Sequence, residues 1–388
     1  MAGLAIVGIF WGAFAGLMPD IKAAAGATDG QFGLLMMLSA AGSMGSMFLA
    51  PRYVARAARM SLPLAGLALL LAFHYPILAS NLTRLGLALL LIGASVGMLD
   101  ISANIRISAI EAQQQRGLMN VSHAMFSFAF GGAALMTGLA REAGMGPAQI
   151  LPGMAGAAAL LLVLTFEKPE IWAGGDGGGD PAAGSSSAGY WPAILLTALV
   201  LFAAFIGENS TEAWAALHIE RTLGGQVGHG SYGPAVLGFV MGVGRLMGQA
   251  AVERIGERKL IIWSAAMGVA GAVIIAAAWA PTVVIAGVAI VALGMAVTVP
   301  SANSVLGRRV PVRLQAFALS RAWMVGMAGF FLGPAMMGLV AEFFGLRVSY
   351  LVMGAIVALI IPAMLALARI PVERSGVDRG AARRPDGG

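Results

Sequence analysis

Asp100 lies inside an apolar run of bilayer-spanning length that extends from Leu85 to Asn104. A carboxylate at the centre of a spanning helix costs about 2.5–3.5 kcal/mol to insert, so it is expected to face a bundle interior or a wet cavity. Asn104 follows Asp100 by four residues and therefore shares its helical face. A titratable group in such a place is typical of a substrate or proton path through a membrane.

A second polar face follows in the next apolar segment, where Asn120, His123 and Ser127 are spaced i, i+3 and i+7. The intervening turn is short, so both faces lie at a similar depth, roughly 6–15 Å from the turn at 1.5 Å per residue. We expect the two faces to meet, with Asp100 as a proton carrier and His123 as its partner. The alternative is a hydrogen-bonded structural cluster near one membrane surface.

Polar residues also interrupt the apolar pattern in the second half of the chain. Glu208 lies deep in one apolar segment and is followed by Asn209, Glu212 and Trp214. Such side chains suit a sugar-like solute, and the alternative is a position at the outer interface, where Trp is common. The candidate substrate-binding residues are Asn104, Asn120, Glu208, Asn209, Asn303, Arg321 and Trp323.

Two arginines, Arg245 and Arg321, also lie deep in apolar segments and balance the charge of the two clearest deep carboxylates. Either arginine could bind an anionic substrate or close a gate. We favour a gate for Arg245, together with Arg254 and Arg258 in the adjoining loop, because the cations cluster where a helix meets the membrane surface.

The composition indicates a membrane protein. Of the 388 residues, 59% are hydrophobic and 11% are charged, whereas a soluble domain has about 25% charged residues. Cysteine is absent and the four histidines are scattered, so neither a disulfide nor a metal site is expected. The sequence contains no Gly-Lys pair of an ATP-binding loop and no nucleophile–base pair. We therefore expect no cofactor, no metal and no enzymatic activity.

Apolar segments of bilayer-spanning length number twelve and predict an all-α membrane protein. A Gly- and Ser-rich stretch, 167–190, reads as a flexible linker between two six-helix halves, 1–166 and 191–370, with a tail at 371–388. Glycines at positions 8, 12 and 16 should let a neighbouring helix approach the first one closely. The predicted spans are 2–18, 30–50, 62–80, 85–108, 117–140, 147–166, 191–215, 233–251, 260–280, 282–305, 316–341 and 346–368.

The two halves resemble each other in sequence. Ser102-Ala103-Asn104 recurs as Ser301-Ala302-Asn303, and three further short matches have nearly the same offset, about half the chain. A parallel repeat of six helices places a substrate between the halves near the midplane. Most arginines and lysines fall in segments on the same side as both predicted termini. That asymmetry predicts cytoplasmic termini and argues against a nucleic-acid surface.

Three motifs carry a family resemblance: Asp100-Ile-Ser-Ala-Asn104, Gly207-Glu208-Asn-Ser-Thr-Glu212 and Gly244-Arg245-Leu-Met-Gly248. With them the chain resembles a major facilitator superfamily permease, and within that superfamily the MosC-like and YbjJ-like bacterial branch related to the fucose permeases. The resemblance implies two parallel six-helix repeats and a role for Asp100 in proton-coupled uptake. The first helix here lacks the acidic residue that fucose permeases carry there, and Gln249 replaces an expected Asp.

The leading hypothesis is a secondary active transporter that moves a small polar solute by alternating access, with proton-coupled uptake. It is expected to be a monomer in the bacterial inner membrane, with the solute and protons as its ligands. Two alternatives remain open: a proton-driven exporter of drug-like or metabolite compounds, and a transporter-like sensor that binds a solute without moving it.

Overall fold

The computed structural model describes residues 1–114, 118–166 and 188–370. Within these ranges the secondary structure is helical, without a strand. The helical segment Val312–Ala358 contains two helices, because Gly345, with a positive φ of 79°, interrupts it. The helices are α1 (Ala2–Gly16), α2 (Met18–Ala24), α3 (Asp29–Ala57), α4 (Ser61–Ala72), α5 (Leu82–Gln114), α6 (Met119–Glu142), α7 (Pro147–Leu162), α8 (Trp191–Leu217), α9 (Tyr232–Ile255), α10 (Glu257–Ala277), α11 (Pro281–Met295), α12 (Thr298–Gly307), α13 (Val312–Ala358) and α14 (Ile360–Leu367).

Among the described residues, eight helical segments are long and apolar enough to cross a membrane, or nine if the bent pair α1 and α2 is one span. Two of the eight, Asp29–Leu78 and Phe317–Leu367, have 50 and 51 residues, enough for two crossings each at about 20 residues per crossing. Positive φ angles at Ala58 and Gly345 break these long segments. The helix α9 is not among the eight segments, because Arg245 lowers its mean hydropathy. When α9, the bent pair and two crossings in each long segment are counted, the described helices correspond to the twelve predicted spans.

Several predicted span limits differ from the observed helices. The span 2–18 ends at Gly16 and bends by 62° into α2. The span 282–305 is broken between α11 and α12. The span 117–140 extends to Glu142, because the charged residues at its end have partners within the protein and the helix need not stop where the apolar run stops.

Glycines set the distances between neighbouring helices. A Cβ atom at Gly12 would clash with the carbonyl group of Phe130 in α6. The predicted close approach along the first helix is therefore confirmed, and α6 is the neighbour. A second close approach joins α6 to α9, where a Cβ atom at Gly238 would lie 2.6 Å from the backbone nitrogen of Gly131. This crossing holds the two halves of the chain together.

The bundle has two distinct ends. The linker end contains the start of α1, the end of α7 and the start of α8, and the far end contains the turns between α6 and α7 and between α8 and α9. At the far end, Gly33 of α3 packs against Pro334 and Gly338 of α13. On the same face of α3 towards the linker end, Met44 and Phe48 are exposed. The two helices therefore contact at the far end and separate towards the linker end.

Candidate functional site

The polar residues of α5 and α6 meet through Asn104 and His123. The His123 ring nitrogen Nε2 lies 3.2 Å from Asn104 Oδ1, and Asn104 Nδ2 donates to the backbone oxygen of Asp100 at 2.9 Å. Asp100 has no ion-pair partner within the described ranges. Asn104 thus lies between the carboxylate-bearing turn of α5 and the imidazole of His123.

Arg245 links this polar region to the second half of the chain. Its Nη1 atom donates to Ser127 Oγ at 2.5 Å, and its Nη2 atom donates to Glu208 Oε1 at 3.1 Å. Ser127 itself donates to the backbone oxygen of His123 at 3.0 Å. We call Asp100, Asn104, His123, Ser127, Glu208 and Arg245 the central cluster, because these contacts run across the bundle from α5 to α8 at mid-depth.

A second carboxylate lies beside Glu208. Glu212 follows it by one helical turn on α8 and is close enough to feel the charges of both Glu208 and Arg245. Asn209 differs from its neighbours, since it is buried and donates to the backbone oxygen of Phe205. The α8 helix is continuous through all three residues. Glu208 and Glu212 are therefore available to a solute, whereas the Asn209 amide is engaged with its own helix.

Among the described residues, the remaining predicted substrate residues form no hydrogen bond with the central cluster. Asn303 Oδ1 accepts from Trp323 Nε1 at 3.0 Å, which joins α12 to α13. The guanidinium of Arg321 lies 5.2 Å from the centre of the Phe317 ring on its own helix. Asn120 lines a small cavity of about 110 Å³ with Arg245 and residues of α9 to α12. These residues surround the linker-end approach to the cluster.

The predicted gate residues are found at two depths. Arg245 lies ten residues before the end of α9, at mid-depth. Arg254 and Arg258 are exposed at the linker end, where α9 turns into α10. Arg245 therefore already connects the halves, whereas no described residue pairs with Arg254 or Arg258.

The sequence analysis missed a group of ion pairs at the far end. Arg141 of α6 donates to Asp20 at 2.7 Å and 3.0 Å and to Glu220 at 2.5 Å and 3.0 Å. Its side chain is 1% exposed, and it also donates to the backbone oxygen of Gly16. Because Glu220 belongs to the second half, Arg141 joins the two halves through two bidentate carboxylate contacts, the strongest arrangement available to an arginine.

A second set of contacts closes the same end. Asp29 at the start of α3 pairs with Lys22 at 3.1 Å and, across the halves, with Arg221. Glu342 of α13 accepts from the backbone nitrogen of Gly30 at 3.0 Å. We call Asp20, Lys22, Asp29, Arg141, Glu220 and Arg221 the far-end cluster. From the sequence, only the basic members Lys22, Arg141 and Arg221 were interpreted, as markers of membrane sidedness, because partners so distant along the chain leave no local motif.

Metal binding finds no support in the described part of the chain, where no group of three or more His, Asp or Glu side chains could hold an ion. The central cluster offers instead carboxylates, one guanidinium, an imidazole, an amide and a hydroxyl. Such groups form hydrogen bonds and exchange protons. They suit reversible binding of a polar molecule between two helix groups.

Comparisons with a family model and with a relative both point to a transporter. A family model described as Major Facilitator Superfamily matches residues 197–386. An uncharacterized MFS-type transporter of Yersinia pestis is 27% identical over 367 residues, which cover 94% of this chain and 92% of that protein. These findings support a major facilitator superfamily transporter. The protein is accordingly a transporter and not an enzyme.

Solved structures share the major facilitator fold. The nucleoside transporter NupG, in a mutant form, has a TM-score of 0.72 at 13% identity and covers 94% of this chain and 98% of its own. A bacterial homologue of the human lysosomal transporter Spinster, inward-facing and occupied, has a TM-score of 0.66 at 15% identity with 95% of each chain covered. At these identities the similarity establishes the all-α membrane fold of the major facilitator superfamily.

Proposed function

We propose that this transporter moves a small polar solute, sugar-like or a related metabolite, by alternating access, with proton-coupled uptake. The observation that carries the proposal is the double contact of Arg245 with Ser127 in one half and Glu208 in the other. Polar groups of both halves thereby meet at mid-depth, where transporters built from two repeats bind their solutes. The solute would bind Glu208 and Asn104, with Asn120, Asn303, Arg321 and Trp323 along its path, while Arg245 would hold the contact between the halves.

Proton coupling is proposed for Asp100 and His123. Asp100 lacks a cationic partner among the described residues, so its carboxylate is free to gain and lose a proton as the cavity changes access. Asn104 lies between Asp100 and His123 and can relay the change to the solute through its amide. Asn209 is left out of the proposed site because its side chain is bonded to its own helix.

The proposed cycle closes the two ends of the bundle alternately. In the arrangement described here the far-end cluster is closed, and the linker end would open to the cytoplasm with both chain termini. Arg254 and Arg258 would then close the linker end in the opposite state.

The proposed setting is a monomer in the bacterial inner membrane, built from six-helix halves at 1–166 and 191–370 around the 167–190 linker. This orientation rests on the asymmetry of positive charge in the sequence.

The solute class rests on the chemistry of the cluster and on the family resemblance. Carboxylate, amide and indole groups suit a solute with several hydroxyl or amine groups, and the Asp100-x-x-x-Asn104 element resembles the fourth helix of fucose permeases. The NupG similarity concerns a nucleoside transporter and is limited to the fold. A polyhydroxylated solute is therefore the first class to test.

A stability screen followed by transport tests the proposal. The purified protein would be heated with sugars, cyclitols and amino-acid conjugates, because a ligand at a hundred times its Kd stabilises by about 2.7 kcal/mol. A stabilising compound should then show counterflow in liposomes and accumulate under an inward proton gradient. Binding without counterflow would indicate a sensor, and accumulation driven by the opposite gradient would indicate an exporter.

A further inference from the structure

A cleft of about 460 Å³ lies between α3 and α5 near the linker end, away from the central cluster. Its walls are mostly apolar, and two arginines lie at its mouth. On one side, the Tyr53 hydroxyl donates to the backbone oxygen of Ser61 at 2.6 Å, which fixes that wall against the start of α4. The lining residues are Leu49, Arg52, Tyr53, Arg56, Ala57 and Met98.

The cleft faces the outside of the bundle. On α3, Leu49 continues a stripe of exposed side chains at spacings of four and seven residues, and on α5 Met98 continues another. In the far half of the bundle, α3 packs against α13 and the halves are in contact, so exposed side chains there cannot face a cavity between the halves. Both stripes are exposed in that region and therefore form the outer, lipid-facing surface. The exposed members nearer the far end are Leu34 and Leu38 on α3 and Leu87 and Leu91 on α5.

The two arginines of the cleft have no partner in the part of the chain that the structure describes. Arg52 and Arg56 are four residues apart on α3, so their side chains lie on one helical face. Both are exposed, and within the described ranges no carboxylate or hydrogen-bond acceptor engages either one. Beside them Leu49 is 58% exposed. An unneutralised pair of guanidinium groups thus borders directly on apolar surface.

We propose that this cleft binds an anionic glycerophospholipid. Arg52 and Arg56 would hold the phosphate, because guanidinium groups match phosphate oxygens in bidentate geometry. An acyl chain would lie along Leu49 and Met98. A soluble phosphate would leave these apolar walls uncovered, and a zwitterionic lipid would leave the arginine charge only partly balanced. The anionic lipid satisfies both parts of the cleft at once.

Native mass spectrometry of the detergent-purified protein with added lipid tests the proposal. Phosphatidylglycerol should bind at least tenfold more tightly than phosphatidylcholine. Each arginine near an anionic headgroup strengthens binding about fivefold. The variants Arg52→Gln and Arg56→Gln should therefore each lose about that factor, and Arg52→Lys should keep most of the preference. Arg59→Gln is the matched control, since Arg59 is exposed at the same end but outside the cleft.

A second measurement uses the unaltered protein and does not depend on whether the variants fold. Phosphatidylglycerol with a photoreactive acyl chain should label the peptides that contain Leu49 and Met98. Labelling distributed over other surfaces, or equal binding of the two lipids, would overturn the proposal. Stabilisation by inorganic phosphate as strong as that by phosphatidylglycerol would also overturn it, because an anion site without a lipid would then explain the arginines.

Discussion

The far-end cluster and the central cluster both join the two halves through charged side chains, but they differ in how fully their charges are paired. At the far end, the buried Arg141 is bonded to two carboxylates, and Asp29 is bonded to two cations. In the centre, Arg245 and Glu208 form one pair with side chains 18% and 16% exposed. Asp100 and Glu212 have no hydrogen-bonded cation among the described residues.

This difference distinguishes contacts that stabilise one arrangement of the halves from contacts that leave groups available to a ligand. A fully paired cluster stabilises one arrangement, because removing one partner of a buried pair costs about 3–5 kcal/mol. A partly paired cluster keeps groups that a solute or a proton can still engage. We infer that the far-end contacts determine which end is closed, whereas the central contacts respond to ligands.

The largest effect is expected where a central carboxylate has no cation. Asp100→Asn should abolish uphill accumulation of the solute, because Asn retains hydrogen bonding and cannot carry a proton. Counterflow, which needs no net proton movement, should persist in part. Both would be measured in the same liposomes with an imposed pH gradient. If the variant still concentrates the solute at the normal rate, Asp100 has no part in coupling.

A large change in conformation is expected from Arg141→Gln. The variant leaves Asp20 and Glu220 facing each other without their cation, at a cost of about 3 kcal/mol. The closed far end should lose about a hundredfold in population relative to the open one. The readout is the rate at which a maleimide modifies Thr137→Cys, a position that is buried beside Gly16 and Ser231. The chain has no native cysteine to interfere.

Arg84→Gln serves as the control for that experiment. Arg84 also lies at the far end, but its side chain is exposed and donates only to the nearby Ser80 among the described residues, so its loss should leave the labelling rate unchanged. Equal labelling in the Arg141 variant and in the unaltered protein would show that the far-end cluster does not keep that end closed.

A smaller effect is expected at the contact between the halves in the centre. Glu208→Gln should weaken solute binding about tenfold, because the solute loses a charged hydrogen-bond acceptor while the shape of the site is kept. Arg245→Ala should slow transport more than it weakens binding and should raise the reactivity of Asn120→Cys at the linker end. Unchanged labelling at that cysteine with a collapse of solute affinity would make Arg245 a substrate ligand and remove it from the gate.

The smallest effect is expected from labelling that determines which membrane face each cluster approaches, which should leave transport unaltered. A cysteine in the 167–190 linker should react with an impermeant reagent only in inverted vesicles. Ser80→Cys, at the far end, should react only in intact cells. The reverse pattern would show that the protein has the opposite orientation in the membrane and that the far-end cluster lies at the cytoplasmic gate.

The sequence by itself determined the helices and their environment. Apolar runs of bilayer length required spanning helices, and the glycines at positions 8, 12 and 16 required a close neighbour, since helices approach only where a Cβ atom is missing. The spacing of Asp100, Asn104, Asn120 and His123 also placed two polar faces at one depth. These features are local, so periodicity and residue type are enough to predict them.

Tertiary structure alone decided which charges are paired. Arg141 and Glu220 are 79 residues apart in the chain, and Asp29 and Arg221 are 192 apart, so no spacing rule connects them. The choice of Ser127 and Glu208 as partners of Arg245 likewise depends on how α6, α8 and α9 pack. Ion pairs are specified by distance in space, and only the packed helices set that distance.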